Sequence, residues 1–328
     1  MKTGFVRLIY VAAILLLLAA VSSCTPSSPV PGGEGASSAP PSGISGDDLG
    51  RVPGENDPSK GNDKVSLPQI TDDNCVITVF NVGKADSILI QTSSVNILID
   101  AGESFSASLI LEKLADRGVN HLDLVIVTHF DKDHVGGVRG VLEGKGITFD
   151  KVVYPSYNSA KNGYFAFRRL IEDYNLDGAL KEQTTLTYGD LTLDLYPAPD
   201  PDSLKLFEED YDNNMSLLAV MEFGGRKFVL AGDIEKERID GILSDKELKK
   251  KLKCDWLKMP HHGKYQKNLK DFVKACDPKY AVITDSVNEP ADPKTTEYLQ
   301  KKGIAYYESI YGDVITVADE NGITVKYR

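Results

Sequence analysis

Apolar residues are nearly absent from one stretch of this chain and recur at two distinct periods in the rest. Between residues 25 and 64, Pro, Ser and Gly dominate. Such a segment cannot bury enough surface to offset its ordering entropy, and it reads as a flexible tether. Beyond Asp72, short apolar runs predict strands at 76–80, 87–91 and 95–100. An amphipathic pattern predicts a helix over 106–117, stopped by Gly118. The continuous apolar run at 122–128 has the pattern of a strand covered on both faces. The second half starts again with strands at 191–196 and 216–223, and Gly224-Gly225 turns tightly into a strand at 227–230. Strands at 256–259 and 280–284 then alternate with helical patterns near 235–252, 267–275 and 294–302. Strands at 314–317 and 323–326 close the chain. Two strand-rich halves, each followed by strand–helix units, predict an α/β fold. Its form is a four-layer αββα sandwich: two mixed β-sheets face to face with helices outside.

The first residues set the expected compartment. Lys2 and Arg7 precede an apolar run from Leu8 to Val21 that gives way to Ser22, Ser23 and Cys24. A basic start, a short apolar stretch and small residues make a secretory leader, too short for a comfortable membrane span. The small residues run straight into Cys24, which resembles a bacterial lipoprotein signal, where the cysteine is lipidated and becomes the new N-terminus. The expected organisation is a leader at 1–23, a tether at 24–72 and one globular domain at 73–328. That domain would face outward, at the cell surface or the periplasm, held to a bacterial membrane by a lipid on Cys24. Cleavage removes the two charges of Lys2 and Arg7 and takes the formal charge from −11 to −13. Cys75, Cys254 and Cys276 then remain; one disulfide can form, and the sequence does not pair them.

Composition narrows the function classes. Hydrophobic residues at 41% and charged residues at 26% exclude a wholly disordered or collagen-like chain. No Cys-x-x-Cys occurs, which excludes a zinc ribbon or a thioredoxin-type motif. A surface this acidic should not bind nucleic acid or anionic lipid non-specifically, unless a local basic patch outweighs the total. One such patch exists: residues 245–276 hold ten lysines against four acids. Lys258 and Lys264 flank a histidine pair there, and a positive rim beside a cleft would draw phosphates.

The candidate chemistry sits where strands end. Thr128-His129-Phe130-Asp131-Lys132-Asp133-His134 follows directly on the buried strand. A capping turn has no need of two histidines, whereas imidazole and carboxylate together suit zinc, manganese or iron. Gly232-Asp233 ends a hairpin strand, and Met259-Pro260-His261-His262-Gly263 follows another apolar strand. Adjacent histidines in an extended chain point to opposite sides, so one should face a metal while the other packs or meets substrate.

These three strand-end clusters, in this order, resemble the metallo-β-lactamase superfamily. More narrowly, they resemble the extracytoplasmic hydrolase domain of ComEC-type DNA-uptake proteins, here in a stand-alone lipoprotein form. The opening segment 79–87, the strand end Ile99-Asp100-Ala101-Gly102 and the segment Asn213-Asn214-Met215-Ser216 belong to the same likeness. The resemblance implies a metal site on Asp133, His134, Asp233 and His262, with His261 as the substitute for His262. A second, weaker subsite would keep His129, Asp131 and the shared Asp233, since no histidine occurs between His134 and His261. Zinc or manganese is the implied ion. Asp131 and Asp133 are the catalytic candidates, able to accept a proton from a metal-bound water. Asn213, Asn214, Ser216, Lys264, Asp285 and Ser286 are the candidate substrate contacts. Lys264 stands where that branch commonly has serine, and Asp292 where it tends to have histidine. The implied activity is metal-dependent hydrolysis of phosphodiesters, with DNA as one candidate substrate. Two alternatives stay open: a metal-binding surface lipoprotein without catalysis, and a hydrolase of small esters of the choline-phosphate type.

Overall fold

The computed structural model describes residues 66–198 and 211–328. The leader, Cys24 and the tether before residue 66 lie outside the described residues. The first strands are β1 (Cys75–Val79), β2 (Ile88–Gln91), β3 (Asn96–Ile99), β4 (His121–Ile126), β5 (Thr148–Pro155) and β6 (Ala179–Leu180). A second set follows: β7 (Thr184–Tyr188), β8 (Leu191–Tyr196), β9 (Leu218–Phe223), β10 (Arg226–Leu230), β11 (Trp256–Lys258), β12 (Tyr280–Ile283) and β13 (Ala305–Glu308). Strands β14 (Val314–Asp319) and β15 (Gly322–Tyr327) return to the first sheet.

The sheets are built alike. One runs in the order β15-β14-β1-β2-β3-β4-β5-β6, the other β13-β12-β11-β10-β9-β8-β7. Pairing is antiparallel from β15 to β3 and from β7 to β10. It is parallel from β3 to β6 and from β10 to β13. Helices cover the outer faces: α1 (Ala107–Asp116), α2 (Lys132–Val135), α3 (Val138–Leu142), α4 (Asn162–Tyr174) and α5 (Tyr211–Asn214) in the first part of the chain. The rest are α6 (Lys236–Ser244), α7 (Lys246–Lys251), α8 (Leu269–Cys276) and α9 (Pro293–Lys301).

Strand periodicity explains the layering. Ile77, Val79, Ile88, Ile90, Ile97 and Ile99 enter the core between the sheets, where Leu193, Leu195, Met221 and Phe228 meet them. The alternate residues Leu89, Leu98 and Val125 pack outward with Ile110, Val138 and Phe167 of the helices. On the other sheet Val220, Val229 and Leu257 pack outward with Ile239, Phe272 and Leu299. Burial on both faces is why these strands read as continuous apolar runs. The four-layer αββα sandwich is therefore observed.

Some elements differ from the sequence reading. The single helical segment near 235–252 is two helices, because Asp245 is extended (ψ 108) and caps α7 with its carboxylate. That carboxylate accepts hydrogen bonds from Glu247 N–H (2.9 Å) and Leu248 N–H (3.1 Å). Strands β5, β6, β7 and β13 and helices α3 and α4 carry no counterpart in the sequence reading. The first half of β5 is largely exposed, and Lys161 gives α4 no side-chain cap. Cys75, Cys254 and Cys276 are buried free thiols.

One buried contact joins the sheets away from the site. Trp256 of β11 is fully buried, and its Nε1–H donates to Thr316 Oγ of β14 over 3.0 Å. Trp256→Phe should cost about 1–3 kcal/mol by stranding that buried hydroxyl. Trp256→Ala should cost about 3–5 kcal/mol by adding a cavity. Urea unfolding should show a lower midpoint with unchanged slope in both variants.

Candidate metal centre

The chemistry-bearing side chains follow the carboxyl ends of the parallel strands, the usual place for sites in sheets of this kind. Asp100 follows β3, the segment 128–134 follows β4, Asp233 follows β10, His261 and His262 follow β11, and Thr284 follows β12. Asp100 takes a left-handed backbone (φ 55) and is fully buried. Its carboxylate accepts hydrogen bonds from Thr128 N–H (2.8 Å) and Thr128 Oγ–H (2.6 Å), and lies 2.8 Å from His134 Nδ1. The turn after His134 packs directly on this strand end. A Cβ on Gly137 would lie 2.0 Å from the Ala101 carbonyl oxygen, so only glycine fits.

Each histidine of the cluster has a polar partner at Nδ1. His134 meets Asp100, His129 meets Thr128 Oγ (3.0 Å), and His262 meets the Thr284 carbonyl (2.9 Å). His261 Nδ1 is in ionic contact with Glu235 Oε1 at 2.6 Å. Such partners fix the ring and leave Nε2 to face inward. Asp233 is the point of convergence: its Oδ2 lies 3.2 Å from His134 Nε2, 3.1 Å from His262 Nε2 and 3.8 Å from His261 Nε2. Asp133 Oδ2 stands 3.3 Å from His262 Nε2. Candidate ligand atoms of Asp133, His134, Asp233 and His262 all lie within 4.8 Å of one another.

Charge explains the protonation of the metal-free cluster. Burial alone would strip the proton from His134, but Asp233, Asp100 and Asp86 outweigh it and hold that histidine well above its ordinary range. His262 is likewise pushed up to about 9, burial being overcome by Asp233 and Asp133. Burial works to raise Asp133 and Asp233, yet the two histidines hold both carboxyls below the usual range. His129 differs. Burial first, then the charge of His134, drives it well below its ordinary value, and its Nε2 is a buried nitrogen with no hydrogen-bond partner. An orphaned imidazole nitrogen beside a tight carboxylate–imidazole cluster fits a divalent cation.

Residues 81–284 match the model of the family described as the metallo-beta-lactamase superfamily. The chain belongs to the metallo-β-lactamase superfamily. Among individual proteins it is similar to ComE operon protein 3 of Bacillus subtilis, 26% identical over 77% of this chain and 33% of that protein. It is similar to competence protein ComA of Neisseria gonorrhoeae, 24% identical over 66% of this chain and 28% of that protein. Ribonuclease Z of Saccharolobus islandicus is 34% identical over 20% of this chain and 21% of its own length. The chain thus spans about a third of the two competence proteins.

Within this superfamily site, the residues named from sequence fall into different roles. Asp133, His134, Asp233 and His262 come together, and the His129 ring lies 4.1 Å from that of His134, tilted by 51°. Asp131 instead pairs with Lys161 at 3.2 Å, and burial raises its carboxyl despite that lysine. Ser216 Oγ accepts the backbone N–H of Asp233 (3.1 Å), so it positions a ligand and is itself buried. Asn214 is buried, accepts the N–H of Arg238 and donates toward Glu237, bracing α6. Asn213 is buried with an unpartnered Oδ1. Asp285 is buried and ties two loops, accepting from Ala291 N–H and Ile310 N–H. Ser286 accepts the N–H of Glu289 in a local turn. Asp292 caps α9 through Lys294 N–H. Lys264 is half exposed and bound to Glu235 at 2.8 Å.

Lys258 overturns the reading of it as a rim lysine. It is fully buried, 2.5 Å from Asp86 Oδ2 and 3.9 Å from Asp233 Oδ1. The alternation of β11 next to an acidic cluster could have signalled this, had Asp86 been counted as part of it. Asp86, Thr284, Glu235 and Lys161 are the site residues that sequence reasoning missed. Thr284 Oγ–H donates to Asp86 over 2.6 Å, so these groups form one supporting shell.

Proton counting makes a prediction. His134 and His262 hold protons when no ion is bound, so binding must displace them. Calorimetric zinc titration at pH 7 in buffers of different ionisation enthalpy should show net proton release, and none should appear in His262→Ala for that group's share. His262 is raised above 6.5, so its contribution to metal-free stability is full below pH 6.5 and is lost as pH rises through about 9. The metal-free Tm should fall across that window.

Proposed function

We propose that the protein is a metal-dependent phosphodiesterase, held by a lipid on Cys24 at the outer face of a bacterial membrane. The observation that carries the hydrolase reading is Asp233, one buried carboxylate oxygen faced by the Nε2 atoms of His134 and His262. The name of one relative, a ribonuclease, supports the phosphodiester class. DNA is the first polymer to test, because the competence proteins align over most of this chain. Zinc or manganese, when bound, supplies a Lewis acid for the scissile oxygen and acidifies an attacking water.

The chain's own groups divide the remaining work. Asp133, kept ionised, serves as a ligand. Asp131 has the raised carboxyl and is the better proton acceptor, with Lys161 holding it in place. Lys161 and Lys264 are partly exposed cations beside the cluster and are the candidates to meet a phosphate.

Hydrolysis of DNA, bis-p-nitrophenyl phosphate and a choline-phosphate ester should be compared with added zinc and manganese. We expect the two phosphodiesters to be cleaved and Asp131→Asn to lower kcat about 100-fold or more, the scale of a lost acid–base group. Lys264→Gln should raise KM by removing a cation available to the phosphate. Cleavage of the choline ester alone would move the substrate class to small esters. No cleavage by the metal-loaded protein would leave a metal-binding lipoprotein.

Location is tested separately. Cys24→Ser should shift the protein from membrane to soluble fractions. A variant that stays membrane-bound with its leader intact contradicts the lipid anchor.

A further inference from the structure

The fold sets one buried cysteine apart and brings two others together. Cys75 opens β1 and packs in the core between the sheets. Cys254 and Cys276 belong to the cluster outside the second sheet, so that sheet stands between them and Cys75. Cys254 precedes β11, and Cys276 is the last residue of α8. The Cys254 N–H donates to the Cys276 carbonyl over 2.9 Å, and the two thiols are hydrogen-bonded to each other. Standard bond lengths then hold the two Cα atoms no farther than about 6.8 Å apart, inside the span of a disulfide.

Contacts on either side keep these two residues in register. Lys253 Nζ lies 3.6 Å from Asp277 Oδ2, and the Asp255 carbonyl accepts the N–H of Lys279 (2.9 Å) and of Tyr280 (3.1 Å). A buried thiol commonly serves as a small apolar group, and that role asks nothing of a second thiol. Here two thiols of one cluster face each other instead.

We propose that Cys254 and Cys276 form a disulfide when the chain folds in an oxidising environment, leaving Cys75 as a thiol. The free thiols described above are the reduced form of this pair. The bond closes residues 254–276 into a loop that holds Lys258, His261 and His262. Within it, His261 (φ 45) and His262 (φ 53) are both left-handed, not the extended pair expected from sequence. Such strain persists only where the surroundings over-determine it, and a cross-link between the ends of the segment adds to that constraint. Formation is a thiol–disulfide exchange with a low-molecular-weight disulfide. One cysteine thiolate attacks the oxidant, expels half of it as a thiol and leaves a mixed disulfide. The second thiolate attacks the cysteine sulfur of that bond, the Cys254–Cys276 bond forms, and the other half leaves as a thiol. Two cysteine thiols are thus oxidised while one disulfide is reduced to two thiols. Burial pushes the Cys276 thiol well above its ordinary range, and the thiolate is the nucleophile, so closure belongs to the folding chain before these residues are covered. The pairing depends on neither the substrate nor the lipid anchor, because the test supplies its own oxidant.

In that test the full chain, unfolded and reduced in detergent, is refolded in a buffer of oxidised and reduced glutathione. It is then alkylated, digested and mapped by mass spectrometry. A peptide linking Cys254 to Cys276 should dominate, with Cys75 alkylated only after unfolding; this readout needs no variant to fold. Refolding with a phosphine reductant should instead give a protein whose Tm is lower by about 5–15 °C, because the unfolded chain is no longer constrained. In Cys254→Ala/Cys276→Ala the two refolding conditions should give the same Tm. Free thiols at both positions after oxidative refolding overturn the proposal. So does a bond that takes Cys254 or Cys276 to another cysteine, and so does an equal Tm for oxidised and reduced wild type.

Discussion

Three carboxylates, Asp86, Asp100 and Asp233, are buried around the single imidazole of His134. Leaving such charges unpaired inside a protein costs several kcal/mol each, so everything near them has to answer it. The answer comes from both sheets. Asp86 and Asp100 flank β2 and β3 of the first sheet, while Lys258 ends β11 of the second. The Lys258–Asp86 pair therefore closes the floor of the site across the sandwich, and Asp233 sits above it. Neither sheet alone neutralises the cluster. Assembly of the centre is thus coupled to stacking of the sheets, and removal of one partner would strand a buried charge rather than merely lose a contact.

Much of this was legible in the chain. Strand-end placement of His129–His134, Asp233 and His261-His262 followed from apolar runs that stop abruptly at polar, ligand-type residues. The sandwich followed from the repeated strand-rich halves. The elements between 148 and 190 were harder to read because β5 begins exposed and α4 starts at an uncapped lysine. Even so, Asn175 in the left-handed conformation (φ 50) ends α4, and an Asn after Tyr164, Phe167 and Leu170 was an available stop signal. Lys258 and Asp86 were misjudged for a different reason. A lysine in sequence looks solvated by default, and only tertiary contact shows that its charge faces an acid 172 residues away in sequence. Ser216, Asn214 and Asp285 show the same limit: motif position marked them, but their hydrogen bonds hold ligands and loops rather than an open cleft.

With Lys258 buried, the source of any attraction for phosphate changes. Of the nine remaining lysines of the basic segment, three are ion-paired: Lys250 to Glu247, Lys253 to Asp277 and Lys264 to Glu235. Asp131 and Lys161 cancel each other. With neutral histidines, Asp86, Asp100, Asp133 and Asp233 give four negative charges against the one positive charge of Lys258, a formal −3. One divalent ion brings this to −1, and a second to +1. A bound cation is often the largest local charge in such a site and inverts its electrostatics. With His134 and His262 protonated the metal-free cluster is also at a formal −1, so exchanging their protons for a single divalent ion does not reverse the sign. A second ion would, so the metal content of the site sets the sign of the charge at its mouth.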